Sequence, residues 1–162
     1  MDYTWYIIAA TFAITLFLGY IRFNDFRKHT ALVKQVSEKE KLVETIKRKG
    51  QRLTFYLFAF ATVLFAALAF FTPEPLQSLA YIGVFIILAG TEWVNVLTVE
   101  TMSVFERTLV YSIFEIRIKS IRSLSASGKR NITVAMLDGT SALVPGDVGE
   151  KLQSLQKARK AK

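Results

Sequence analysis

His29 is the one histidine of the chain and there is no cysteine, so a metal site built on imidazole or thiolate within one chain lacks its usual ligand set. The same histidine lies in a basic stretch beside Arg27 and Lys28, with no nucleophile motif nearby. A Ser-His-acid triad cannot be assembled around it, and it is expected to be a solvated residue at a membrane interface. Ser127-Gly128-Lys129 has the ending of a phosphate-binding loop without the upstream glycine, and reads as a hairpin turn. The residues thus point away from an enzyme, and no cofactor is expected.

Glu92 is the sharpest single position, because it lies near the inner end of a long apolar run and an ionisable group there is costly. Helical geometry puts it on the same side as Asn95 and opposite Gly83 and Gly90. This intramembrane polar pair could serve an ion or a partner helix. The simpler reading is a carboxylate that reaches toward headgroups or pairs with Arg22 or Arg52 at the same depth. Thr11, Thr15 and Thr62 are too sparse to carry a proton pathway beyond it.

Basic residues form the remaining chemistry: Arg27-Lys28, then Lys47, Arg48, Lys49 and Arg52, then Lys157 to Lys162. Near an anionic membrane each such charge contributes about 1 kcal/mol of attraction, so contact with lipid headgroups, or with a partner, is expected. The clusters beside the apolar runs carry no interleaved aromatics on which bases could stack, and no nucleic acid is expected as a partner.

The elements that must position these residues follow from where the charge lies. Of 21 Lys and Arg, ten fall between Arg22 and Arg52 and eleven beyond Val99. The first 21 residues and the connection between the second and third apolar runs hold none, which is the positive-inside pattern. Three runs result. Tyr3 to Ile21 is uncharged, and about 19 residues at 1.5 Å each match a hydrocarbon layer of about 30 Å. Its Tyr3, Trp5, Tyr6 and Tyr20 suit an interfacial belt, and the acidic Met1-Asp2 with no Ala-x-Ala site marks a retained span rather than a cleaved signal. Leu53 to Thr72 is rich in phenylalanine and stops at Thr72-Pro73-Glu74-Pro75, where proline forbids continuation. Along it Ala59, Thr62, Ala66 and Ala69 form a small-residue stripe suited to close helix packing, within the chain before between copies. Leu76 to about Leu97 carries Gly83 and Gly90 seven apart. The predicted fold is therefore a membrane α-helical unit of three transmembrane helices, residues 1–99, in the plasma membrane with the N-terminus outside and the C-terminus cytoplasmic.

Between the first two runs, residues 22–52 lack proline and hold only Gly50. The spacing predicts two cytoplasmic helical arms with a break near Ser37, where Ser37 and Glu40 have capping-box spacing. Leu32, Val36, Val43 and Ile46 would form their apolar stripe. Residues 100–162 change to strand periodicity. Thr108 to Tyr111, Phe114 to Lys119, Asn131 to Leu137 and Thr140 to Val144 read as strands, with Asp138-Gly139 a hairpin turn. From Asp147 a helix follows with Val148, Leu152 and Leu155 on its apolar side. The expected cytoplasmic domain is a small α+β unit, an antiparallel meander of about five strands closed by a C-terminal helix.

Phe105, Tyr111, Ile118 and Ile121, then Leu137-Asp138-Gly139, then Glu150-Lys151-Leu152 in the closing helix carry a resemblance to bacterial three-span membrane proteins with a PH-like β domain after their spans, an uncharacterised YobD-type family. A complete PH-like domain has seven strands and a helix. The resemblance implies a domain that binds partners or lies against the membrane, and brings no catalytic residues. The expected role is a docking domain on an accessory or scaffold subunit of a larger membrane complex, through another membrane protein or self-association. The competing expectation is a homo-oligomeric channel or small transporter using Glu92.

Overall fold

A computed structural model describes residues 3–48, 50, 52–71, 75–128 and 130–160. The chain divides into two compact units, Met1–Arg27 with Arg48–Glu100, and Lys28–Lys47 with Thr101–Lys162.

The first unit is helical. Helix α1 spans Tyr3–Ser37 and gives this unit its first part. Helices α2, Leu53–Ala69, and α3, Pro75–Val99, complete the unit. Pro75 sits at the first helical position of α3, where a missing N–H costs nothing. Thr72, Pro73 and Glu74 of the expected turn lie outside the described residues. Two helices, α1 and the Leu76–Val99 stretch of α3, are long and apolar enough to cross a membrane by length and composition. α2 is apolar but shorter, at 17 residues.

Rings join α2 to α3: Phe55 lies 5.1 Å from Trp93, and Phe65 stacks on Phe85 at 4.9 Å, between centroids. Ala59, Thr62, Ala66 and Ala69 are half-buried, as are Phe55, Phe58 and Phe65. Small and aromatic residues thus share the covered side of α2, while Phe60 and Val63 on the other side are each 68% exposed. Gly19 allows a close approach of α1 to α3, since a Cβ there would stand 3.1 Å from the Thr91 hydroxyl.

The second unit is a β structure, and it corrects the expectation for residues 22–52. The first arm is helical, because α1 runs unbroken to Ser37; the second is not. Residues Leu42–Lys47 form strand β1, antiparallel to β2, Thr101–Phe105, with Thr45 opposite Ser103 and Ile46 opposite Met102. Alternating Val43, Thr45 and Lys47 suit a strand, and pairing with a partner far along the chain overrides weak helical propensity. The capping box is absent for the same reason. Ser37 closes α1, its Oγ donating to the Lys34 carbonyl at 2.7 Å. Glu40 instead accepts from the Arg107 backbone N–H at 3.0 Å and the Thr108 hydroxyl at 2.9 Å.

Strands β3, Thr108–Tyr111, and β4, Phe114–Arg117, extend the first sheet in the order β1-β2-β3-β4. A second sheet has the order β5-β6-β7, from Ile121–Ser127, Asn131–Met136 and Ser141–Pro145. Helix α4, Gly146–Lys160, closes the unit. The described residues therefore hold seven strands rather than about five. Beyond the four strands located by residue range in the sequence, the others are β1, β2 and β5. The predicted strand 114–119 stops at Arg117, where Ile118–Ser120 makes a 3₁₀ turn and buries Ile118. Leu109, Ile116, Val134, Val144, Val148 and Leu152 are fully buried and form the core. Leu32 and Val33 of α1 pack on a cluster of Val36, Phe105 and Val110, so the last turns of α1 cover one patch of this unit.

Candidate functional site

Three places hold the residues that could act, and each lies within one unit. The first is the junction at the start of α2. Arg48 donates its backbone N–H to the Glu100 carbonyl at 2.7 Å, and its guanidinium reaches the Val99 carbonyl at 3.3 Å. Arg52 pairs with the Glu100 carboxylate at 2.8 Å and lies 6.0 Å from the Trp93 ring centroid. Arg48 therefore satisfies carbonyls left over at the C-terminus of α3, and Arg52 pairs with the carboxylate just beyond it. Arg27, Lys28 and Lys47 are exposed, whereas Lys49 lies outside the described residues. Arg52 has Glu100, not Glu92, as its ion-pair partner, which corrects that part of the expectation.

The second place is Glu92 itself. Its carboxylate accepts from the Asn95 amide at 3.1 Å, one turn along the same helix. The two polar groups satisfy each other, as an i, i+3 pair can. Gly83 and Gly90 meet nothing within 4 Å of where a Cβ would stand, so among the described residues none packs directly on these two positions. Thr62 returns its hydroxyl to the Phe58 carbonyl at 2.9 Å, leaving the small-residue stripe without an outward donor.

The third place lies in the β unit and was not legible in the sequence. A cleft of about 250 Å³ is lined by Gln35 and Val36 at the end of α1, Lys39 and Glu40 in the turn after it, Arg107 and Thr108 at the β2–β3 turn, and Glu115, Arg117 and Lys119 around β4. Three stretches of chain contribute, 35–40, 107–108 and 115–119, and none carries a recognisable motif. A second groove, of about 460 Å³, runs beside β1 and α4, with Val43, Phe105, Ile118, Leu155, Ala158 and Arg159 among its walls. Lys151 of α4 bridges to Glu44 of β1 at 2.7 Å, tying helix to strand.

His29 also departs from expectation. It is 7% exposed, and its Nδ1 lies 2.7 Å from the Ser112 carbonyl. The imidazole thus donates to the β3–β4 turn, where Ser112 holds a φ of 52°. Burial follows from its place on the side of α1 facing its own unit, which a sequence with charged neighbours conceals. In the β6–β7 turn, the Thr140 hydroxyl and then its backbone N–H hold the Asp138 carboxyl below the ordinary carboxylate range. Among the described residues no group of three His, Asp or Glu side chains is placed to hold a metal ion.

No protein-family model, curated protein or solved structure matches the chain.

Proposed function

We propose that this is a non-enzymatic, multi-pass protein of the bacterial plasma membrane that presents a PH-like docking domain to the cytoplasm, as an accessory subunit of a larger membrane assembly. The observation that carries this reading is the make-up of the β unit: sheets of four and three antiparallel strands closed by a C-terminal helix. That is the strand and helix count a complete PH-like domain calls for. The unit is also stitched from two chain segments, so the chain enters it partway along α1 and again after α3.

Three spans fit the helices when α2 is extended by Phe70 and Phe71, which are 88% and 86% exposed. Such faces would be unstable in water, where contiguous apolar patches are rare. Lysine and arginine then lie on one side, with the C-terminus in the cytoplasm. The β unit offers an edge strand, β1, and two clefts to a partner; the anionic headgroups of the bilayer meet Arg27, Lys28 and Lys47. Nucleic acid has no role in this reading.

The test uses the full chain in native membranes. Photocrosslinkers placed at Ser37 and at Asp138 are expected to capture the same membrane protein, and capture is expected to fall when core-facing Leu152→Ala unfolds the β unit. A detergent-purified protein that runs as a lone monomer and crosslinks only to lipid would overturn the docking role. A label at Lys160 reachable from outside intact cells would overturn the topology.

Self-association into a channel is a second reading, favoured by the open Gly83 and Gly90 face. Ion flux in liposomes that falls on Glu92→Gln would support it over docking.

A further inference from the structure

The cleft beneath the end of α1 holds four cations, Lys39, Arg107, Arg117 and Lys119, against two carboxylates, Glu40 and Glu115. Both carboxylates are engaged locally. Glu40 accepts from the Arg107 backbone N–H and the Thr108 hydroxyl, and Glu115 pairs with Arg117 at 3.1 Å. Lys39, Lys119 and the Arg107 guanidinium form no ion pair among the described residues. The cleft therefore keeps a net charge of +2, gathered from segments far apart in sequence. Nothing in folding requires three unpaired cations to converge on one concavity, since like charges held together oppose the compact state.

We propose that this cleft binds a phosphomonoester dianion. Two ammonium groups and one guanidinium fork match a group with charge near −2 and three acceptor oxygens. A volume of about 250 Å³ is that of roughly eight waters at about 30 Å³ each, enough for a phosphate with part of its hydration or a short ester arm. Glu40 acts as a positioning residue: by fixing the Arg107 backbone it presents that side chain without the ordering cost a free loop would incur. None of Arg27, Lys28 and Lys47 lines the cleft, so this site is distinct from the cations beside the helical unit. It lies wholly in the β unit and does not depend on which protein that unit docks. The phosphate could be the headgroup of a lipid such as phosphatidic acid or a soluble ester.

The full chain in phosphatidylcholine nanodiscs is titrated with glycerol 3-phosphate. Saturable binding is expected. Each of Lys39→Gln and Lys119→Gln is expected to weaken it about fivefold and the pair about twentyfold, while Lys157→Gln leaves it unchanged. Both lysines are exposed, and an unchanged thermal melt confirms that the variants fold. Repeating the titration in discs containing phosphatidic acid separates the sources: competition with glycerol 3-phosphate identifies a lipid headgroup, and its absence a soluble ester. Lack of saturable binding, an equal loss in Lys157→Gln, or a preference for a polyglutamate peptide over the phosphate ester would each overturn the assignment.

Discussion

The helical unit and the β unit solve the burial problem in opposite ways. In α2 no residue is buried, and α1 and α3 turn residues such as Phe17, 64% exposed, and Ile86, 56% exposed, outward. Leu109, Val110 and Ile116 in the β unit have no exposed surface at all. A β sheet in water must hide one face and pair its backbone between strands. An apolar helix satisfies its backbone internally, and if lipid surrounds it, its outer face has no need of protein cover. Packing density is thus expected to dominate stability in the β unit and close helix approach in the other.

The comparison is broken most sharply by emptying the core of the β unit. Leu109→Ala or Leu152→Ala is expected to cost about 2–5 kcal/mol, with amide hydrogen exchange rising across Asn131–Met136 while the amides of α2 and α3 stay protected. Equal loss in both units would show that they fold as one body. A smaller effect is expected where α4 meets β6. A Cβ at Gly149 would overlap the Ile132 side chain, including Ile132 Cβ at 2.9 Å. Gly149→Val should therefore lower stability by about 1–3 kcal/mol, and adding Ile132→Ala should restore most of it, read by thermal denaturation.

In the helical unit the expected change is smaller still. Gly19→Val presses on the Thr91 hydroxyl and is expected to cost about 1 kcal/mol, measured as detergent-driven unfolding. Gly83→Val, which meets nothing, should stay within about 0.5 kcal/mol. An equal response at the two glycines would mean that the Gly83 face is covered by another copy. The smallest effect is a titration. Asp138 has a folded pKa below its ordinary value of 3.8. Its contribution is therefore complete above that value and is lost as pH falls through the depressed one. An NMR titration of Thr140→Val should return the Asp138 pKa toward 3.8, with little change in stability at neutral pH.

Much of the β unit was legible in local pattern. The Asp138-Gly139 turn lies between β6 and β7, with Gly139 at a φ of 84°, and Val148 and Leu152 of α4 are buried. Strand β5 gives a weak signal because Ser123, Ser125 and Ser127 alternate with Arg122, Leu124 and Ala126, of which Leu124 alone is strongly apolar. β1 reads as helix because six residues with one β-branched alternation cannot outweigh the absence of proline, and of any glycine but Gly50, across residues 22–52. The candidate cleft had no local signal. Lys39, Arg107 and Lys119 are each an ordinary surface cation until the strands pair.

The sequence alone determined the uncharged lengths, the exclusion of lysine and arginine from them, and the helix and turn periods, because each depends on neighbours within a few residues. Only the tertiary structure decided that Leu42–Lys47 is a strand, that His29 is buried against Ser112, and that residues 35–40 join residues 107–119 around one basic cleft. Those outcomes depend on pairings distant in sequence, such as Lys47 with Thr101 and Glu40 with Thr108, where the energy of the contact belongs to both segments and is visible in neither.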